Sequence, residues 1–332
     1  MKKQHGFTLI ELLVVMAIIA LLLGLLLPAL AKARATARQV KDGTQVQQIH
    51  KAWVTKGSEN TRGTFPLPGE VNRIGNLPGR GNEDEAKNSH TNLYSCCIAQ
   101  QFISPQILVS PSESSGNVAV CSNYDYTKYK PAEDIYWDGD KANQTSNSGD
   151  EGNFKTDLTA LSGTSYASMP LLMKDSTSKV PSRRDLQWRV GATSGSRFPI
   201  VGNRGVKNGN TANDDYTKSK TLAIHGALNE WEGNLCYNDD HIMFARTFFP
   251  EGMSCVPNGM APPAGDTTCG SVAGSTTTSK LGFDNIFKAD GTVQDGATDA
   301  YLCLVKKIKA TSPAAGTFSK SEIDDGGDVN WD

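Results

Sequence analysis

The densest run of chemistry-bearing side chains lies in LAIHGALNEWEGNLCYNDDHIMF, which holds His225, Asp239, Asp240 and His241. A His/Asp/His set can bind a metal ion, or act as a general base with a carboxylate that orients it. A second concentration is acidic: Asp284, Asp290, Asp295 and Asp299 in FDNIFKADGTVQDGATDAY, followed by the tail DDGGDVNWD. Oxygen-rich loops suit Ca²⁺, with Asp290 and Asp295 as candidate ligands, but EF-hand spacing is absent and solvated turns account for the acids equally well. A third group, Tyr124, Tyr126, Tyr129, Tyr136 and Trp137 with acids between them, offers a face for a sugar or surface, or packing in a β-strand. The fourth is one acid, Glu11, inside the apolar run GFTLIELLVVMAIIALLLGLLLPAL.

The catalytic readings are weak. No G-x-S-x-G elbow, Walker loop, HExxH or GxGxxG accompanies the histidines, and a histidine without a visible partner is more often structural than reactive. Leu235 to Tyr237 and Ile242 to Phe244 alternate as strands about an Asn238-Asp239-Asp240 turn, so the same segment reads as a β-hairpin. The chain is therefore expected not to be an enzyme and to need no cofactor. A net charge of −2 and a pI near 6.2 provide no basic field for nucleic acid. The seven cysteines, at 96, 97, 121, 236, 255, 269 and 303, are odd in number and lack zinc-site spacing. Outside the cytoplasm they allow up to three disulfides; Cys255 and Cys269, bracketing the loop VPNGMAPPAGDTT, make the best candidate pair. The vicinal Cys96 and Cys97 read as small buried helix residues rather than a strained redox pair.

The elements begin with the apolar run. Leu12 to Leu27 are sixteen consecutive uncharged residues, and with their apolar neighbours they make a helix of roughly 36 Å at about 1.5 Å per residue, enough to span a bilayer. Lys2 and Lys3 before it, and Ala29-Leu30-Ala31 after it, also suit a removable secretory signal. Against that stands Glu11, because a carboxylate at this depth costs a few kcal/mol and a discarded signal has no use for it. Basic residues flank both ends of the run, so charge does not orient it. The short N-terminus is taken as cytoplasmic because the large polar, cysteine-bearing remainder belongs outside.

Lys2-Lys3 followed by Gly6-Phe7-Thr8-Leu9-Ile10-Glu11-Leu12-Leu13-Val14-Val15 resembles the class III signal of type IV pilins and type II secretion pseudopilins. That resemblance implies cutting by prepilin peptidase between Gly6 and Phe7, methylation of Phe7, insertion in the inner membrane, delivery to an inner-membrane assembly platform, and polymerisation with like subunits. The physics agrees with those positions. The cut creates a cationic amine on Phe7 that can meet the Glu11 carboxylate of a neighbouring subunit, two costly charges neutralising one another in one register. A pairing one helical turn apart within a single chain is the competing arrangement. Without the cut, Glu11 has no partner visible in the sequence. The His225, Trp231-x-Gly233, Asp239-Asp240-His241 succession is also similar to a motif in a branch of long pseudopilins, where it is a structural signature.

Gly24 and Pro28 are expected to kink or locally melt the helix. Beyond them ALAKARATARQVKDGTQVQQIHKAWVTKG reads as an amphipathic continuation, with Val46, Ile49 and Trp53 on the buried face, Lys32, Arg34, Arg38 and Lys41 exposed, and Gly57 as its end. TNLYSCCIAQQFI reads as a short helix, and TSYASMPLLM and SRFPIVGNRG as strands. The expected architecture is α+β: a leader at 1–6, a long helix at 7–57 whose 7–30 portion is the membrane and assembly segment, and a loop-rich extracytoplasmic head at 58–332 with an antiparallel sheet. A head of that length exceeds the compact heads of shaft pseudopilins and suggests a minor, tip or specialised subunit. The other class of reading is an anchored or exported glycan-binding protein or hydrolase that uses His225 and His241.

Overall fold

The computed structural model describes residues 8–60, 62–70, 87–128, 138, 152–171, 184, 187–192, 195–196, 198–206, 216, 218–226, 230–250, 286–287, 302–307 and 328–329. Helix α1 spans Leu9–Glu59 and α2 spans His90–Ala99. The strands are β1 (Thr156–Asp157), β2 (Leu161–Ser162), β3 (Tyr166–Ser168), β4 (Pro199–Asn203), β5 (Gly233–Tyr237), β6 (Ile242–Ala245), β7 (Val305–Lys307) and β8 (Asp328–Val329). The central sheet is antiparallel in the order β3-β4-β5-β6, with small two-stranded pairs β1-β2 and β7-β8 beside it. This is the α+β arrangement expected, with the two strands around 166–168 and 199–203 and the hairpin in place.

Helix α1 has two halves set by its sequence. From Leu9 to Leu30 it is apolar apart from Glu11, and its large hydrophobic side chains are 44 to 78% exposed. From Asp42 onward a stripe at helical spacing turns inward: Asp42, Gln45, Val46, Ile49, His50 and Trp53 are all buried. That stripe packs on β4, β5 and β6. Trp53 anchors it, its ring 4.9 Å from that of Trp188 and 6.2 Å from that of Tyr94, with Phe65 edge-on to Trp188 at 5.4 Å. Lys32, Arg34, Arg38 and Lys41 are exposed, as their positions predict.

One expectation for this helix is corrected. Gly57 does not end it: the helix runs to Glu59, and Asn60 caps it with its N–H on the Gly57 carbonyl. The glycine is there for closeness, since a β-carbon at 57 would lie 2.8 Å from Val190 Cγ2 and 3.1 Å from the Thr64 carbonyl. The helix is also unbroken through Gly24 and Pro28. Proline lacks the N–H that would bond four residues back, and that position is Gly24, whose missing side chain leaves open space.

Helix α2 is capped by Ser89, whose hydroxyl accepts from the Asn92 N–H, and is buried along its whole length. Cys96 and Cys97 lie on it as buried thiols in no disulfide, in line with the reading of small buried residues. Burial pushes the Cys96 thiol up to about 12. Cys255 and Cys269 lie outside the described residues. Of the aromatic cluster, Tyr124 and Tyr126 are described, and they form no strand. Tyr124 is buried with its hydroxyl donating to the Ser95 carbonyl at 2.7 Å, and exposed Tyr126 opens a 3₁₀ turn, Tyr126–Lys128. Tyr129, Tyr136 and Trp137 lie outside the described residues, as do Asp284, Asp290, Asp295 and Asp299.

Candidate functional site

The first place to look is the start of the exposed apolar helix. Thr8 is the N-cap of α1, and Glu11, three residues on, closes a capping box. The Thr8 N–H and its hydroxyl both donate to Glu11 Oε2 at 2.8 Å, and the Glu11 N–H returns to the Thr8 hydroxyl at 3.3 Å. The carboxylate therefore has a local partner before any processing, which corrects the expectation that it had none. Both bonds fall on Oε2; Oε1 accepts none among the described residues. Gly6 and Phe7, the residues of the predicted cut, lie outside the described residues, so the Phe7–Glu11 pairing is not seen.

The second place is the seam where α1 meets the sheet, and it disperses the His/Asp/His set. His225 Nε2 is 3.0 Å from Asp42 Oδ2, a carboxylate wholly buried on α1. The same carboxylate accepts from the Tyr166 hydroxyl of β3 at 2.9 Å, from Asn203 Nδ2 of β4 at 3.4 Å and from Asn234 Nδ2 of β5 at 2.7 Å. Burial alone would raise its pKa, but the hydrogen bond and charge of His225, with the Asn234 amide, hold it below the usual carboxylate range. Asp42 thus ties helix, three strands and the His225 turn together, with its charge distributed over four donors.

Trp231 and Gly233 belong to the same seam. The Trp231 indole donates to the Arg204 carbonyl at 2.9 Å, and its ring lies 5.1 Å from Phe287 and 5.6 Å from Phe248. A β-carbon at 233 would lie 2.5 Å from the Trp231 ring, so only glycine lets β5 pass under the indole. The succession of His225, Trp231 and Gly233 is a packing device here: the histidine reaches α1, the indole locks β4 to the loop before β5, and the glycine makes room.

The hairpin turn holds the remaining members. Asp240 has φ +70°, the left-handed conformation that lets the chain reverse, and its N–H bonds back to the Tyr237 carbonyl at 2.9 Å. Its side chain faces α1, where His50 Nδ1 lies 3.0 Å from Oδ1, Gln47 Nε2 3.1 Å from Oδ2 and Lys51 Nζ 3.4 Å from Oδ2. His50 is buried, and burial lowers its pKa despite the Asp240 carboxylate, so this contact is a neutral imidazole N–H on a carboxylate rather than an ion pair. His241 faces outward, stacked at 4.1 Å on Tyr237 and bonded to Asp239 at 2.5 Å. His225 and His241 thus answer to different acids, Asp42 and Asp239, and share no partner.

The signal that sequence reasoning missed is on α1. Asp42 and His50 stand on the same stripe as Val46, Ile49 and Trp53, and a polar residue on an apolar stripe must have a partner.

Residues 1–27 match the family model described as the prokaryotic N-terminal methylation motif. The chain carries the prepilin-type signal of type IV pilin-like proteins. No curated protein and no solved structure shows significant similarity to the chain. The prepilin signal and the bare apolar half of α1 coincide: the matched residues end one position before Pro28, within the exposed run Leu9–Leu30. A signal of this kind implies processing by prepilin peptidase and assembly with other pilin-like subunits, and pilin-like families are typically structural. The helix is also long and apolar enough to cross a membrane, which agrees with a membrane-anchored precursor.

Proposed function

We propose that this pilin-like chain is a structural subunit of a type IV pilus-like filament or type II secretion pseudopilus, cut between Gly6 and Phe7, methylated on Phe7 and assembled through residues 7–30. The observation that carries this reading is the asymmetry of α1: Leu9–Leu30 is uncovered and, apart from Glu11, apolar, while from Asp42 onward one stripe of the helix is buried against its own head. A surface of that kind needs lipid before assembly and the same segment of other subunits after it. The head, 58–332, stands on the extracytoplasmic side and supplies whatever face the filament presents. Its length favours a minor, tip or specialised subunit over a shaft subunit.

Glu11 sets the register. Its Oε2 accepts from Thr8 while Oε1 accepts no bond among the described residues, and the amine created on Phe7 of a neighbouring subunit neutralises the carboxylate within the apolar bundle. Pro28 leaves the Gly24 carbonyl without its helical donor, so 24–28 is where the helix opens most cheaply during assembly. The competing reading, a glycan-binding protein or hydrolase working through His225 and His241, draws no support from two histidines committed to separate acids.

Two substitutions separate the roles of Glu11. Glu11→Ala removes cap and charge together, whereas Glu11→Gln keeps a side chain that can close the capping box but carries no charge. Both variants are expected to be processed normally, keep the melting temperature of the head, and be missing from sheared filaments or from crosslinked pseudopilus assemblies. Wild-type incorporation of Glu11→Gln would reduce the carboxylate to a helix cap and remove the register from this account.

A further inference from the structure

One cluster at the α1–hairpin junction is left unused by the assembly reading. His50, Cys236 and Asp240 place one ligand atom each, from the middle of α1, the end of β5 and the turn, all within 4.8 Å of one another. We propose that these three side chains bind a single Zn²⁺ ion through His50 Nδ1, Cys236 Sγ and Asp240 Oδ1, with water in the fourth position.

The donor set is the mixed nitrogen, sulfur and oxygen kind that Zn²⁺ takes, and the thiolate selects it over Mg²⁺ or Ca²⁺. Tetrahedral bonds of about 2.0–2.3 Å require neighbouring ligand atoms roughly 3.5 Å apart. His50 Nδ1 and Asp240 Oδ1 are already 3.0 Å apart, and Cys236 Sγ lies within 4.8 Å of both, so the remaining adjustment is a closing of the sulfur. Charge balances as well: one thiolate, one carboxylate and a neutral imidazole match a dication, with the thiol proton of Cys236 released to water and the imidazole proton moved from Nδ1 to Nε2 as the metal bonds form. The ion has an entrance, because the Asp240 side chain is 32% exposed while His50 is closed off.

Among the described residues the Cys236 thiol makes one polar contact, 3.6 Å from the carbonyl of its neighbour Tyr237, and His50 Nε2 is buried with no hydrogen-bond partner. Bound zinc would reinforce the tie between α1 and the β5–β6 hairpin that Asp240 already makes to His50, Gln47 and Lys51.

Co²⁺ reports the site. In full-length protein in detergent, reduced and stripped of metal, one equivalent of Co²⁺ is expected to give a thiolate-to-cobalt charge-transfer band with visible bands of tetrahedral strength, and one equivalent of Zn²⁺ should abolish them. Cys236→Ser should lose the charge-transfer band. Asp240→Asn, which tolerates the left-handed turn, should stay folded and weaken Zn²⁺ by more than the roughly 10–100-fold that loss of a ligand's supporting partner costs. No charge-transfer band in the wild type, a band that persists in Cys236→Ser, or unchanged Zn²⁺ affinity in Asp240→Asn would each overturn the assignment.

Discussion

Asp42→Ala is expected to lower the unfolding free energy of the head by about 3–5 kcal/mol, the range for breaking a buried charged network on one side. The substitution leaves the Tyr166 hydroxyl, the Asn203 and Asn234 amides and His225 Nε2 facing a void where a carboxylate stood. Each abandoned donor carries its own desolvation cost, and the small alanine cannot fill the space. Asp42→Asn should cost less, because its carbonyl oxygen still accepts from Tyr166 while its amide meets the Asn234 amide donor to donor. Urea unfolding in detergent measures both. A loss below about 1 kcal/mol for the alanine variant would mean that the seam is held by the Trp53 cluster alone. A double-mutant cycle with His225→Ala should give a coupling energy above about 1 kcal/mol, since the two share one network.

Acid should loosen the head, and His90 is the main reason. Its imidazole is fully buried, Nδ1 accepts the Val305 N–H at 2.8 Å, and burial lowers its pKa from 6.5 to about 4. Between those values the unfolded chain takes up a proton that the folded chain refuses, so stability falls as the pH falls through this window, at about 1.4 kcal/mol per pH unit and about 3 kcal/mol in all. Burial lowers the His50 pKa as well and adds in the same direction. Asp42 and Glu113 have lowered carboxyl pKa values: burial opposes this in both, while His225 holds the first and Arg204 the second. Their stabilisation is present above the ordinary carboxylate range and is lost only at lower pH. His90→Gln keeps an acceptor for Val305 and cannot titrate, so its stability should decline less steeply from pH 6.5 to 4 by the one proton His90 takes up. An identical slope in the variant would assign the acid sensitivity to other groups.

Legibility in the sequence followed the range of the interaction. The apolar run, the amphipathic stripe through Val46, Ile49 and Trp53, helix α2 and the hairpin about Asn238-Asp239-Asp240 were readable because each is a local pattern of period 3.6 or 2 closed by a cap or turn. The partners of the histidines were not readable. Asp42 meets His225 across 183 residues and Asp240 meets His50 across 190, and no spacing rule connects such pairs. For the same reason the histidines of one short segment looked like a site, when the fold sends them to different acids. Gly57 was misread for a physical reason too: glycine serves both as a helix terminator and as a gap for a neighbouring chain, and only the position of Val190 distinguishes the two. The capping box at Thr8 and Glu11 was present as a Thr-x-x-Glu spacing, but the membrane cost of the acid drew attention away from its local use.

Two ties therefore fix the head to the second half of α1, Asp42 beneath the sheet and Asp240 at the hairpin turn, while the first half is left bare. The intact mass of the mature protein, with sequencing of its N-terminus, tests this division of labour most directly. The account predicts a chain that begins at Phe7 and is heavier by one methyl group on its amine. A chain that begins at Lys32, cut after Ala29-Leu30-Ala31, would contradict it, because the apolar half of α1 would then be a discarded export signal.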